Sequence, residues 1–172
     1  MNELEIRSVK VKDASRILEI YAPYIKETCI TYEYDIPSLR SFKNRIRKLS
    51  KTHPYIVICL DKKIVGYAYA SVFHERKAYE HSAELSIYID RDYRKLGLGT
   101  KLYDELTRQL KDRGFCTIYA CIAATPRKDD KYLTDASIKF HTALGFKQVG
   151  YFTKCAFKFD QWYDMVYMEK HI

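Results

Sequence analysis

No stretch of the chain approaches the ~18 consecutive apolar residues of a membrane-spanning helix, and the opening MNELEIRSVK is too polar to hold the core of a secretory signal. A cytoplasmic protein with no membrane partner is the simplest expectation. Disulfide and metal patterns are missing as well. The five cysteines, Cys29, Cys59, Cys116, Cys121 and Cys155, are odd in number and scattered without a C-x-x-C pair. Cys59 and Cys121 fall in apolar strand patterns, where a thiol serves packing. His74 and His81 have no neighbours at a ligand spacing, so no metal is expected. A helix-turn-helix, a zinc finger and an RNP-like aromatic motif are absent too, which weakens a nucleic-acid role for a chain of formal charge +8. The densest charge, Arg40, Lys43, Arg45, Arg47, Lys48 and Lys51, surrounds Phe42, Ile46 and Leu49. It reads as the solvated face of an amphipathic helix, with steering of an anionic ligand as a modest second use. The 172 residues suit a single domain, 1–172, with a sizeable core.

What is present is concentrated between Ala83 and Gly114. AELSIYID alternates, with Ala83, Leu85, Ile87 and Ile89 on one strand face and Glu84, Ser86, Tyr88 and Asp90 on the other. RDYRKLGLG follows as a basic, glycine-spaced turn. Leu98, Leu102, Leu106 and Leu110 then make one stripe of a helix that Gly114 stops. The first N–H groups of such a helix have no partners within it, Gly97 and Gly99 admit a ligand to the backbone, and Arg94, Lys95 and Lys101 add positive charge. The junction therefore suits a phosphate. A P-loop would need Gly-Lys-Ser/Thr where the chain has Gly99-Thr100-Lys101, and a dinucleotide fingerprint would need a third glycine where Leu102 stands. Taken alone, the turn is also consistent with glycines that serve geometry only.

The remaining elements flank this unit. Leu4–Val9 alternates as a strand, and Asp13 is placed to cap a helix that ends near Glu27 and turns Ala14, Ile17, Leu18, Tyr21 and Ile25 inward. TCITYEYDIP carries aromatics without a helical period and reads as a loop over a site, after which Ser38 caps a second helix. Tyr55–Leu60 and Ile64–Phe73 are apolar runs joined by Asp61-Lys62-Lys63 as a hairpin, and Cys116–Ile122 is a further strand. Ala123–Lys131, AATPRKDDK, reads as a solvated basic loop.

Arg94-Lys95-Leu96-Gly97-Leu98-Gly99 resembles the Gln/Arg-x-x-Gly-x-Gly/Ala signature of the GNAT acetyltransferase superfamily. TCITYEYDIP, RKAYEHSAELSIYI, SIKFHTALGF and AFKFDQWYDMVYMEK, in that order, are similar to segments of its phosphinothricin N-acetyltransferase group, so the resemblance covers nearly the whole chain. It implies an α/β fold whose mixed, mostly antiparallel sheet is flanked by helices, with central strands splayed apart. It also implies a homodimer and direct acetyl transfer from acetyl-CoA to the amine of a small amino acid or analogue, such as phosphinothricin or methionine sulfoximine or sulfone.

The residues follow from the same resemblance. Backbone groups of Leu85 and Ile87 would pair with the pantetheine arm, while Arg94, Lys95, Leu96, Gly97, Gly99 and Thr100 would hold the pyrophosphate. Thr134 stands where the group has asparagine and loses an amide's paired donor and acceptor, while Ser137 is kept. Tyr32, Arg76, Lys77 and Tyr79 match the acceptor region, where an arginine fork grips an acid. Glu84 would be the base, since an ammonium must lose a proton before it attacks, and partial burial would raise its pKa. His141 would be the acid for the departing thiolate, or a second base. Trp162 and Asp164 match the closing motif, with Trp162 expected to pack at the sheet end. The competing readings are acetylation of another small amine or a protein amine, and an acyl-CoA- or nucleic-acid-binding module without turnover.

Overall fold

Alternation of apolar and polar residues carries the chain into the sheet seven times: β1 (Leu4–Ser8), β2 (Tyr55–Leu60), β3 (Lys63–Val72), β4 (Ser82–Ile89), β5 (Thr117–Ala124), β6 (Lys147–Lys158) and β7 (Gln161–His171). The computed structural model describes residues 3–172. The strand order is β1-β2-β3-β4-β5-β7-β6, and every neighbouring pair is antiparallel except β4 and β5. The β2–β3 hairpin turns on Asp61 and Lys62, both at positive φ (48° and 67°), which is the backbone a two-residue turn between twisted strands requires.

Four helices cover the two faces: α1 (Ala14–Glu27), α2 (Leu39–Leu49), α3 (Leu98–Asp112) and α4 (Ala136–Ala143). The stripe Leu98, Leu102, Leu106 and Leu110 of α3 packs with Ala83, Leu85 and Ile118. Each of these leucines contributes about 1.5–3 kcal/mol by leaving water. On the opposite face α1 and α2 bury Ile17, Tyr21, Phe42 and Ile46 against Tyr55, Val57 and Tyr67. Ser38 caps α2, its Oγ accepting the Ser41 N–H at 3.2 Å.

Four sequence expectations change. Asp13 does not cap α1 with its side chain; its buried carboxylate accepts from Lys10 N–H (2.7 Å) and from both terminal nitrogens of Arg7 (2.7 and 3.1 Å). The ion pair outcompetes the cap for the same oxygens. Ala123–Lys131 is not simply a solvated loop: Ala123 and Ala124 end β5, and the Asp130 side chain, 1 % exposed, receives Arg127, Tyr132 N–H and the Tyr163 hydroxyl. Just beyond it, Leu133 joins Cys29, Ala123 and Tyr163 in a small third core. Cys59 is buried as expected, but Cys121 is exposed on a cleft wall, because the strand beside it has moved away. Trp162 stacks edge-on against Phe157 but stays half exposed, so it covers the sheet end without being buried there.

Candidate active site

Parallel pairing of β4 with β5 lasts three residues, Ser82↔Thr117, Ala83↔Ile118 and Glu84↔Tyr119, and then stops. Beyond Glu84 the strands diverge, and a narrow cleft of about 60 Å³ opens between Leu85–Tyr88 on one side and Ala120–Ala123 on the other. Tyr103 of α3 and Ser137 and His141 of α4 line it as well. Interrupting a sheet at its centre leaves strand-edge amide and carbonyl groups facing a gap, and an extended chain with amides of its own can fill it in the manner of an added strand. Leu85 and Ile87 stand on that edge.

The cleft runs toward the start of α3. There Gly97 has φ of 71° and Lys95 of 62°, and no side chain caps the helix. A Cβ at Gly97 would meet nothing within 4 Å, so its space faces outward, whereas one at Gly99 would come within 3.0 Å of the Phe140 ring. Gly97 serves the left-handed backbone and an open approach; Gly99 serves the close packing of α3 on α4. Leu96 is exposed, Thr100 lies in the first helical turn, and the Arg94 guanidinium leans on the Tyr24 ring at 5.2 Å. Uncapped N–H groups, an exposed glycine and nearby cations together make an anion cradle. Thr134 is outside the cleft lining; its hydroxyl accepts the Ala136 N–H at 3.4 Å.

Glu84 sits at the apex of the fork, in the last residue pair before the strands part. Its Oε2 accepts the Tyr167 hydroxyl at 3.2 Å, and burial raises its pKa above the ordinary carboxylate range although Tyr167 and His74 pull it down. His141 is buried, with Nδ1 2.7 Å from the Ser137 carbonyl and Nε2 2.7 Å from the Tyr103 hydroxyl. A carbonyl only accepts, so Nδ1 carries the hydrogen and Nε2 receives the Tyr103 O–H. Burial lowers the imidazole pKa, which keeps this neutral tautomer, and both nitrogens are thus occupied within the protein.

Around Glu84 the walls are aromatic. Phe73 stacks on Tyr119 (centroids 4.0 Å apart, planes 9°) and meets Tyr79 and Tyr167 edge-on. Arg76 and Lys77 lie on the 3₁₀ turn that carries Tyr79, exposed and without a carboxylate partner among the described residues. Tyr32, on the segment after α1, donates to the Asp164 carbonyl at 2.6 Å, and its neighbour Ile30 lines the cleft. Among the described residues no three His, Cys, Asp or Glu side chains gather as a metal site, and no helix is long and apolar enough to cross a membrane.

This geometry has relatives. The acetyltransferase (GNAT) domain family matches residues 6–167. The chain belongs to the GNAT acetyltransferase family. Phosphinothricin N-acetyltransferase of Alcaligenes faecalis is 30% identical over 166 residues, covering 96% of this chain and 81% of the relative. The enzyme of the same name from Streptomyces viridochromogenes is 24% identical over 167 residues, 97% of this chain and 87% of its own. Among solved structures, a GNAT phosphinothricin acetyltransferase from Sinorhizobium meliloti in complex with AcCoA superposes with a TM-score of 0.88 at 30% identity, over 98% of this chain and 88% of that one.

Within this GNAT acetyltransferase two site residues carried no sequence signal. Tyr103 follows Leu102 on an amphipathic helix, and its partner His141 lies 38 positions away. Tyr167 alternates through a strand like any aromatic, and only the fold sets it against Glu84, 83 positions earlier. Either pairing needs the tertiary arrangement, helix on helix for one and strand order for the other, which no local pattern contains.

Proposed function

We propose that the chain, as one catalytic domain spanning 1–172, transfers the acetyl group of acetyl-CoA directly to the amine of a small amino acid or analogue of the phosphinothricin or methionine sulfoximine or sulfone type, in the cytoplasm. The reading rests on one observation above others: the sheet forks immediately after a part-buried glutamate. The first turn of α3, with Arg94 and Lys95, would take the pyrophosphate, and β4 backbone at Leu85 and Ile87 the pantetheine amides. Thr134 points its hydroxyl into its own turn, so Ser137 would carry the polar contact from this side.

Glu84 removes a proton from the substrate ammonium, directly or through water, and its raised pKa makes it a better base near neutrality than an ordinary carboxylate. The freed nitrogen attacks the thioester carbonyl, and a β4 N–H facing the fork stabilises the tetrahedral oxyanion. As the C–S bond breaks, the Tyr103 O–H turns from His141 Nε2 to the departing thiolate and gives it a proton, and Tyr103 is reprotonated by the second proton that the acylated nitrogen must shed, so His141 holds the hydroxyl at rest and does not meet the sulfur itself. Tyr32, Arg76, Lys77 and Tyr79 frame the acceptor, the two cations receiving its acidic group.

A homodimer fits the edge of the sheet. β6 has no neighbour on its outer side and exposes Val149, Tyr151, Phe152 and Phe157, a surface that an unpaired edge rarely leaves open. Sedimentation at micromolar concentration should give twice the 20.4 kDa chain mass, and a monomer would refute it. The activity itself is tested by release of free thiol from acetyl-CoA across a panel of amines. Turnover with acidic amino-acid analogues supports the proposal; turnover with amines lacking an acid group and none with amino acids would move the acceptor elsewhere.

A further inference from the structure

Among the described residues Lys158 is the only buried lysine or arginine, and the reaction gives it no task. Removing an ammonium from water costs several kcal/mol unless its donors are all used. Here they are: Nζ donates to the carbonyls of Ile25 (2.8 Å), Thr28 (2.9 Å) and Thr31 (2.8 Å). Ile25 is in the last turn of α1, and the other two lie in the segment leaving it. A cation from the far end of the chain thus sits at the negative end of the α1 dipole and takes carbonyls that the helix leaves unpaired.

The same segment is tied to the β6–β7 hairpin elsewhere. The Tyr32 hydroxyl donates to the Asp164 carbonyl and the Tyr34 hydroxyl to that of Phe157. Between Thr28 and Thr31, whose carbonyls Lys158 holds, the segment carries Ile30, on the cleft wall. We propose that Lys158 is a positioning residue for the acceptor: its ammonium holds residues 28–35 in the shape that brings Ile30 and Tyr32 to the site. The proposal rests on the acceptor site described above, and one arm of its test needs no turnover.

Lys158→Met keeps an unbranched stem and removes the donors. The Michaelis constant for the acceptor should rise about tenfold or more, as expected for lost hydrogen bonds to a charged group, while that for acetyl-CoA, whose cleft Ile30 also borders, rises severalfold less. Amide hydrogen exchange should accelerate across residues 28–35 and not in β4 or α3. A folded variant that loses thermal stability while keeping both the acceptor constant and the protection of 28–35 would show a purely structural lysine and overturn the proposal, as would equal rises in both constants. Tyr34→Phe is the second variant: Tyr34 is 63% exposed, so the fold is spared and only one tie of the segment is lost. It should raise the acceptor constant less, with faster exchange in the same segment. If Lys158→Met does not fold and Tyr34→Phe changes neither quantity, the proposal fails. If no amine is acetylated, the activity reading fails and the exchange arm still decides on Lys158.

Discussion

The proposed donor half and the proposed acceptor half of the site are built by different means. The donor half is one continuous run, β4 through the basic turn into α3, and offers mainly backbone: a strand edge, a left-handed glycine and uncapped helix amides. The acceptor half gathers side chains from four places, the segment after α1, the turn after β3, β5 and β7. A backbone site tolerates sequence change and suits a ligand shared by many enzymes. A side-chain site changes with each substitution and suits a ligand that differs between them.

Four perturbations sharpen that contrast. The largest effect belongs to Glu84→Gln at the apex, where turnover should fall by ~10²–10⁴-fold with coenzyme A affinity unchanged. Wild-type kcat/KM should rise with pH through the raised glutamate pKa, and that limb should vanish in the variant. Stability should move the other way. A glutamate whose folded pKa lies above its unfolded value binds more protons folded, so stability falls as pH rises from about 4.3 through the folded pKa. Thermal unfolding across pH should lack this decline in Glu84→Gln; a variant both inactive and less stable at neutral pH would mean that the carboxylate holds the fork together instead.

Next is the cradle. Gly97→Ala places a methyl in the ligand's path and strains a φ of 71°, so coenzyme A affinity should drop about 10- to 100-fold with about 1 kcal/mol of stability. Gly114→Ala is the control, because φ is 82° there, away from the cleft. It should cost similar stability and no affinity; equal affinity losses would reduce the cradle to a strained turn. Tyr103→Phe should lower turnover by roughly tenfold, below the span of a full general acid, and less with a more acidic leaving thiol. Arg76→Ala should be mildest, raising the acceptor constant severalfold for acidic substrates only, as suits an exposed charge partner. No change with any acidic acceptor would remove it from the site.

Legibility followed the same division. The leucine stripe of α3, the stop at Gly114 and the strand into Glu84 are local patterns, and they appear where periodicity places them. The hairpin expected over Asp61-Lys62-Lys63 forms too, one residue shorter, because Lys63 already pairs with Leu60 and leaves a two-residue turn. Asp13 misled because capping and ion pairing call for the same residue type, and only the fold brings Arg7 to it. The Ala123–Lys131 stretch looked solvated because its charges are visible in sequence and what encloses them is not: beside its local partners Arg127 and Tyr132 N–H, Asp130 takes the Tyr163 hydroxyl, 33 positions later. Lys158, between two phenylalanines, carries no sequence sign of burial, yet among the described residues it is the only buried lysine or arginine.

The fork also bears on how the domain comes together in time. β2, β3 and β4 follow one another closely and pair antiparallel, as do β6 and β7 with β5 at their side. Between the two groups the ladder is only three residue pairs long, with α3 lying across the join. Contacts close in sequence form early and the long closure last. Folding should therefore proceed in two ribbons that meet late along the line of the cleft, so the seam left by assembly becomes the place proposed for the chemistry.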